Sequence, residues 1–230
     1  MGVFETIAVE QGCPLFLPWH LERMEKGLDI LGINKENFLE QVTKEKIVKY
    51  LQKNPMNHGA LKIMVSEKNI IFNTRENPYT KEDYERGFHL GISKVLRNET
   101  SLFTYVKSFH YGDNLLEKRK CKKAGYDEVL LLNTKGQITE TTASNIFFVK
   151  NKRLFTPKTE CGLLEGVVRR YVIENFDVQE TVITKENLVE YEEVFLTNSI
   201  MGIMPVIGIE EKKFKSREVV NQLTRAYKNL

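Results

Sequence analysis

Segments with two different hydrophobic periods follow one another along the chain, and this succession limits the folds it can adopt. A segment at residues 19–31 repeats apolar side chains every three or four residues, as an α-helix does, and a second follows at residues 35–52. The segments ALKIMV, NIIFNT and GFHLGISKV instead alternate apolar and polar side chains, which indicates β-strands. The first hundred residues therefore predict a lobe that mixes α and β structure.

The rest of the chain shows the same mixture. It combines a helix at residues 111–124, ended by Gly125, with a hairpin of EVLLLN and QITETTASNIFFV around a turn at residues 133–136. The strand RLFTP, a helix after GLLEG, two more strands and a helix capped by Ser216 follow. Polarity rises at residues 96–101, where periodicity lapses. We predict an α/β (mixed α+β) fold with an N-terminal lobe of residues 1–100 and a C-terminal lobe of residues 101–230.

Composition restricts the class of protein. Of the 230 residues, 41% are hydrophobic and 28% charged, which is typical of globular domains. The three cysteines are far apart and form no CxxC pair, so we expect neither disulfides nor a metal site, and a reducing cytoplasm suits them. The N-terminus lacks a cationic start before an apolar core, and no apolar run is long enough to span a membrane. We therefore expect a cytoplasmic protein without a membrane partner.

The charge of the chain does not predict a nucleic-acid partner. The 34 Lys and Arg residues exceed the 31 Asp and Glu residues by only three. The densest basic run, EKRKCKK at residues 117–123, has helical spacing. Such runs are usually solvated helix faces, and a patch that binds phosphate backbones is the weaker alternative. We expect no nucleic-acid binding.

Lys107 stands in an unusual setting for a lysine. In YVKSFHYGDNLL it follows Val106 and precedes Ser108 and Phe109. Burying an unpaired cation is costly, and an amine withdrawn from water loses its proton more readily. A neutral amine can condense with an aldehyde. Lys107 is therefore either a lysine that happens to lie on a strand face or one whose amine takes part in a reaction.

Pyridoxal phosphate needs such an amine, an acid near its ring nitrogen and donors for its phosphate. The acid could be Glu140, which shares strand parity with Ile138; a solvent-facing glutamate is the alternative. The loop GLLEGVV could present helix N–H groups to an anion or simply start a helix. Arg23 could bind an anion or simply lie on the surface. The strand end TNS at residues 197–199 could likewise bind an anion or merely close a turn.

Together these tracts resemble the class IV aminotransferases, the fold type IV family of pyridoxal-phosphate enzymes that includes branched-chain and D-amino-acid aminotransferases and aminodeoxychorismate lyase. The resemblance covers almost the whole chain, in the family's order: GVFETIAVEQGCPLFLPWHLERM, RNETS, VKSFHYGDNLLEKRKCKKAGYDEVLLLN, GQITETTASNIFFV, LFTPKTECGLLEGVVRR and EVFLTNSIMGIMPV. It implies a two-lobed architecture with a smaller N-terminal α/β lobe and a larger C-terminal lobe with a mixed sheet or barrel. It also implies a homodimer with the cofactor site near the subunit interface.

The resemblance assigns the residues that carry the chemistry. Lys107 corresponds to the lysine that forms the Schiff base and later acts as a general base. Glu140 corresponds to the partner of the pyridine nitrogen, and Arg23, in HLER, to the arginine that binds the phosphate.

Five further residues are expected to bind the cofactor. The backbone N–H groups of Val167 and Val168, together with Ser199, would complete the phosphate site. Tyr111 corresponds to a phenol near the cofactor oxygen. Asn145 corresponds to the asparagine of the family's SNIF strand, where a structural role is as well supported as a catalytic one.

Within the family, EVFLTNSIMGIMPV is most similar to aminodeoxychorismate lyases, because branched-chain enzymes more often carry a Gly-Thr-Ala run here. This implies a small-molecule amine substrate, 4-amino-4-deoxychorismate, which loses pyruvate to leave 4-aminobenzoate for folate synthesis. The alternatives are a branched-chain or D-amino-acid aminotransferase, with Arg75 and Arg97 available for a carboxylate, and a protein that binds cofactor or a partner without turnover. The chain begins directly before GVFET, where family members usually carry a further segment, and this affects the expected substrate more than the cofactor.

Overall fold

The structure is a computed structural model and describes residues 1–229. The chain forms two compact units, each assembled from two stretches of sequence. The first comprises Met1–Pro78 and Val106–His110, and the second comprises Tyr79–Tyr105 and Tyr111–Leu230. The boundary predicted between residues 100 and 101 falls within the stretch Tyr79–Tyr105.

The first unit is built on an antiparallel sheet of four strands in the order β2-β1-β3-β4. The strands are β1 (Gly2–Glu10), β2 (Cys13–Pro14), β3 (His58–Ser66) and β4 (Ile70–Glu76). β1 and β3 pair along their whole length, from Gly2 opposite Ser66 to Glu10 opposite His58. The period-two segments ALKIMV and NIIFNT are thus confirmed as strands.

Three helices accompany this sheet: α1 (Leu17–Ile30), α2 (Glu36–Gln41) and α3 (Lys44–Lys53). The prediction of one helix over residues 35–52 is wrong, because the chain is extended at Thr43 (φ −99°, ψ 158°). The Thr43 hydroxyl accepts a hydrogen bond from the Lys46 N–H at 3.3 Å and so begins α3 afresh. Met24 and Leu28 of α1 are buried in one apolar core with Ile7, as the helical period predicts.

The stretch Val106–His110 runs beside the start of β1. The Phe4 N–H donates to the Lys107 carbonyl at 2.9 Å, and the Phe109 N–H donates to the Gly2 carbonyl at 2.9 Å. Val106 lies in the apolar core of this unit. The backbone on both sides of Lys107 is therefore fixed by sheet-like bonds and by packing.

The second unit contains a mixed sheet in the order β10-β9-β8-β11-β12-β5-β6-β7, with β13 beside β12. Its strands are β5 (Phe88–Arg97), β6 (Glu128–Asn133), β7 (Ile138–Thr141), β8 (Asn145–Lys150), β9 (Arg153–Pro157), β10 (Val178–Thr181), β11 (Glu193–Asn198), β12 (Gly202–Ile209) and β13 (Lys212–Lys213). β5 is parallel to both of its neighbours, and β9 is parallel to β10, whereas the other pairs are antiparallel. The mixed α and β fold class is confirmed.

As far as residue 229, the α-helices of this unit are α4 (Lys81–Arg86), α5 (Gly112–Lys123), α6 (Val167–Asn175) and α7 (Glu218–Lys228). Gly125 follows α5 with a positive φ of 84°, as predicted for a helix end. Ser216 does not cap α7; its hydroxyl donates to Glu193 at 2.6 Å. The Glu193 carboxylate instead accepts from the N–H groups of Val219 and Val220 at 3.2 and 3.0 Å. The Glu193 carboxylate from β11 therefore caps α7 in place of the Ser216 hydroxyl.

The segment QITETTASNIFFV, predicted as one strand, forms two strands, β7 and β8. The Thr141 N–H and hydroxyl both donate to the Ser144 carbonyl, at 2.8 and 3.0 Å, and this closes a tight turn between them. Glu140 and Asn145 consequently lie on different strands. Within residues 1–229, no helix has the length and apolar character needed to cross a membrane.

Candidate active site

Lys107 is half-buried beside an aromatic ring. Its Nζ lies 4.6 Å from the centroid of the Phe4 ring, and Lys62 Nζ lies 5.1 Å from the same centroid. Contact with the ring face stabilises a cation, and the ring also shields the amine from water. Because its backbone is bonded to β1, Lys107 presents an amine from a fixed position.

Arg23 is held by a buried carboxylate that sequence reasoning missed. Its Nε donates to Glu5 Oε1 and its Nη2 to Glu5 Oε2, both at 2.8 Å. His20 Nδ1 lies 2.7 Å from Glu5 Oε2. Glu5 and His20 are almost completely buried, whereas 15% of the Arg23 side chain is exposed. These three side chains form one cluster, the Glu5 cluster.

The Glu5 cluster fixes the charges of its members. Burial alone would raise the pKa of Glu5, but Arg23 and His20 together hold that pKa well below its usual range. Burial lowers the pKa of His20, and the charges of Arg23 and Lys107 lower it further, against the opposing effect of Glu5. The cluster therefore contains an ionised carboxylate, a guanidinium and a neutral imidazole.

Glu140 lies on β7 with only 6% of its surface exposed. Its Oε1 accepts a hydrogen bond from Arg97 Nη2 at 2.8 Å, and its Oε2 accepts one from the Leu164 N–H at 3.2 Å. Arg97 Nη1 in turn donates to Asn114 at 3.0 Å. Arg97, considered above for a substrate carboxylate, is thus engaged with Glu140, while Arg75 lies exposed on β4. Both oxygens of the Glu140 carboxylate are oriented by protein donors.

Asn145 shapes the loop that leads into α6. Its Nδ2 donates to the Leu164 carbonyl at 2.7 Å. A Cβ built on Gly166, which precedes the helix, would lie 2.1 Å from Asn145 Oδ1, so a larger residue here would have to displace the Asn145 side chain. The first-turn N–H groups of α6, including those of Val167 and Val168, have no acceptor within the helix and favour an anion. Asn145 thereby links the start of α6 to β8.

The end of β11 lies on the other side of Asn145. Thr197 pairs with Asn145 across the two strands, and its buried hydroxyl has no hydrogen-bond partner among residues 1–229. Asn198 Oδ1 accepts from the N–H groups of Ile200 and Met201 at 3.0 and 2.8 Å, and this holds the turn that contains Ser199. The loop that leads into α6 and the end of β11 therefore both lie beside Asn145.

Tyr111 precedes α5 and is directed toward the end of β7. Its hydroxyl donates to the Thr142 carbonyl at 2.6 Å. Burial and then the nearby charges of Glu140 and Glu128 raise the pKa of Tyr111 above its usual range, so the phenol stays protonated. The second unit thus contains six of the eight predicted site residues, and the first contains Lys107 and Arg23. Among residues 1–229, no group of three or more His, Cys, Asp or Glu is arranged to hold a metal ion.

Comparison with known proteins gives the family. Residues 2–209 match the family model of the class IV amino-transferases. The aminodeoxychorismate lyase of Bacillus subtilis (strain 168) is 29% identical over 99% of this chain and 85% of its own length. A provisionally assigned branched-chain-amino-acid aminotransferase of Rickettsia bellii (strain RML369-C) is 26% identical over 98% of this chain and 85% of its own.

A solved structure agrees with these relatives. A provisionally assigned 4-amino-4-deoxychorismate lyase from Legionella pneumophila superposes with a TM-score of 0.90 at 28% identity, covering 99% of this chain and 90% of the other. The fold type IV architecture expected from the sequence is confirmed. Since the family model covers nearly the whole chain, this protein belongs to the class IV aminotransferase family, whose members are enzymes that generally depend on pyridoxal phosphate.

Proposed function

We propose that this protein is a pyridoxal-phosphate-dependent 4-amino-4-deoxychorismate lyase, which releases pyruvate and leaves 4-aminobenzoate, a folate precursor. The observation that carries this choice within the family is the turn after β11. The Asn198 side chain makes three hydrogen bonds there, to two backbone N–H groups and, at 3.0 Å, to Ser144 Oγ. A glycine, as in the Gly-Thr-Ala run typical of branched-chain enzymes, cannot make them. Similarity to a lyase over 99% of the chain gives further support.

The donor groups fit pyridoxal phosphate. Glu140 offers a buried carboxylate to a ring nitrogen, and the start of α6 offers N–H groups to a phosphate. The buried Thr197 hydroxyl, which lacks a protein partner in the described chain, suits a further phosphate oxygen. When bound, pyridoxal phosphate would supply an aldehyde for a covalent bond to an amine and an electron-accepting ring.

Lys107 and Glu140 would carry the chemical step. Lys107 Nζ would bind the cofactor aldehyde covalently until the substrate amine displaces it. The released Nζ would then take the proton from the substrate carbon that bears the amine. The Glu140 carboxylate would hold a proton at the ring nitrogen, and its bonds to Arg97 and to the Leu164 N–H keep it oriented for this. Loss of pyruvate completes the conversion of the substrate ring to an aromatic product.

The remaining predicted residues would bind and orient the cofactor. We assign the phosphate to Arg23, to the backbone N–H groups of Val167 and Val168, and to Ser199. Tyr111, which stays protonated, would face a cofactor oxygen as a neutral phenol, and it now donates its single proton to the Thr142 carbonyl. Asn145 would act through the loop at Leu164 rather than by touching the cofactor.

We further propose that the enzyme is a cytoplasmic homodimer that acts on a small-molecule amine. Several large apolar side chains of the second unit are exposed: Leu102 is 66% exposed, and Leu115 and Leu116 on α5 are each 52% exposed. Leu115 and Leu116 are neighbours on one helix, and contiguous exposed apolar surface is typical of contact with another protein. A second copy of this chain is the partner that the family resemblance implies.

The reaction can be tested directly. Purified protein is incubated with 4-amino-4-deoxychorismate without any keto acid, and 4-aminobenzoate and pyruvate are quantified by chromatography and a coupled dehydrogenase assay. We expect equimolar products, and none from the Lys107→Ala variant. Amine transfer that requires a keto acid, without 4-aminobenzoate, would refute the lyase and favour a branched-chain or D-amino-acid aminotransferase.

The attachment site has its own test. Borohydride reduction of cofactor-loaded protein, followed by peptide mapping, should place the adduct on Lys107. Lys62→Ala is the matched control, because Lys62 approaches the same Phe4 ring from β3. That variant should keep its visible absorption band and its adduct, whereas Lys107→Ala should lose both. An adduct on another lysine would disprove the assignment.

A further inference from the structure

The Glu5 cluster joins the first strand to the first helix through three side chains. Glu5 lies on β1, and His20 and Arg23 lie one turn apart on α1. Glu5 bonds Arg23 through both carboxylate oxygens, and the oxygen that accepts from Arg23 Nη2 also contacts His20 Nδ1 at 2.7 Å. No catalytic step proposed above uses Glu5 or His20.

Burial makes these contacts necessary. Glu5 has no exposed surface, and an ionised carboxylate in such a place requires a compensating charge and hydrogen bonds. Arg23 supplies the charge. Because an ionised carboxylate can only accept, His20 must donate through Nδ1, and in a neutral ring Nε2 then carries no proton. His20 Nε2 is buried without a hydrogen-bond partner in residues 1–229, which agrees with a neutral ring. His20 therefore steadies Glu5 without adding a second positive charge.

The paired bonds from Arg23 fix the plane of its guanidinium group. Two parallel N–H donors that meet two carboxylate oxygens define both the position and the rotation of the planar group. An arginine without such a partner loses rotamer entropy when it becomes ordered on binding. In this protein Glu5 already orders the Arg23 side chain before any ligand binds.

We propose that Glu5 is a positioning residue that holds Arg23 in the orientation in which it binds the cofactor phosphate, and that His20 holds Glu5 in turn. This inference rests on the proposed function. The opposing possibility is electrostatic: a carboxylate near a phosphate repels it, so removal of the Glu5 charge would tighten binding. The paired geometry favours positioning, because both Glu5 oxygens are committed to Arg23.

Two ligands that differ only in the phosphate separate these possibilities. Cofactor-free protein is titrated with pyridoxal phosphate and with pyridoxal, and dissociation constants are measured from absorbance. For Glu5→Gln we expect about tenfold weaker binding of pyridoxal phosphate, as expected when pre-organisation is lost, and less than about twofold change for pyridoxal. Arg23→Met marks the limit at which the arginine contributes nothing.

His20 provides a matched pair of variants. An asparagine amide can donate from nearly the position of Nδ1, whereas leucine cannot. His20→Leu should weaken pyridoxal phosphate binding about threefold, on the scale of one lost neutral hydrogen bond, while His20→Asn should bind like the parent protein. This pair keeps the proposal testable even where Glu5→Gln fails to fold, which a melting curve reveals.

The outcomes are distinct. A loss confined to the phosphate-bearing ligand supports the positioning role. Equal weakening of both ligands, or unchanged or tighter binding of pyridoxal phosphate in Glu5→Gln, overturns it, and so does equal behaviour of the two His20 variants. Failure of the unsubstituted protein to bind pyridoxal phosphate would instead overturn the proposed function, and this inference with it.

Discussion

Replacing Gly166 by alanine tests how tightly Asn145 is held against the start of α6. The new methyl group would lie 2.1 Å from Asn145 Oδ1 and 3.3 Å from its Cγ. Gly166 has a φ of −72°, which alanine adopts without strain. The expected effect therefore comes from steric overlap alone and not from backbone conformation.

The cost can be estimated from what must move. Ordinary van der Waals contact begins at 3.4 Å, so the Asn145 amide must retreat by about 1.3 Å. Asn145 is buried and donates to the Leu164 carbonyl at 2.7 Å, so the retreat breaks this bond. Overpacking costs about 1–3 kcal/mol, and a buried amide left unsatisfied costs a similar amount. We expect a loss of about 3 kcal/mol, together with displacement of the Leu164 N–H from Glu140.

A double-mutant cycle provides the assay. Free energies of unfolding in urea are measured for Gly166→Ala, Asn145→Ala and the double variant. In the Asn145→Ala background the obstructing amide is absent, so the second substitution should cost less than about 1 kcal/mol and the coupling energy should be about 2 kcal/mol. An equal cost of Gly166→Ala in both backgrounds, or a cost below about 0.5 kcal/mol in the parent, would show that Asn145 does not obstruct the new methyl group.

Glu193→Gln should lower the free energy of unfolding by about 2 kcal/mol, because the charged acceptor for the first N–H groups of α7 is lost; an unchanged urea midpoint would contradict this. Of the three cysteines, only the exposed Cys13 should react quickly with Ellman's reagent at mildly alkaline pH. Burial raises the pKa of the Cys121 thiol to about 11 and raises that of Cys161 as well, so three fast equivalents from native protein would refute this. The pKa of Glu5 is lower in the folded than in the unfolded state, so its stabilisation is complete above about pH 4.3 and is lost as the pH falls further. Glu5→Gln should therefore lose less stability than the parent between neutral pH and about pH 3, and equal losses would exclude this role.

Local patterns predicted most elements, because periodicity and turn residues act over short distances. The strand β3 and the helix α1 follow from alternation and from a stripe of leucines. The breaks at Thr43 and Thr142 were missed for an equally local reason. At the first break the Thr43 hydroxyl accepts from the Lys46 N–H, and at the second the Thr141 hydroxyl donates to the Ser144 carbonyl. Such short-range bonds compete with continuation of the element, and the hydrophobic period does not reveal them.

The Glu5 cluster could have been found from the sequence. Val3, Glu5, Ile7 and Val9 share one parity along β1, so Glu5 occupies a position of the apolar face. A charged residue at such a position predicts a buried partner. The pairing of Arg97 with Glu140 could not have been found in this way, because it depends on β5 lying parallel to β6 in a sheet whose neighbours are distant in sequence.

The contact between the first residues of β1 and the stretch Val106–His110 has a consequence for synthesis of the chain. Gly2, Val3 and Phe4 leave the ribosome well before their partners at residues 107–109, which are added only after Pro78, where the first stretch of this unit ends. Until then the N-terminal strand has an open edge, which is a template for wrong pairing with other chains. A nascent chain halted at Pro78 should therefore be more prone to aggregate than one released past His110.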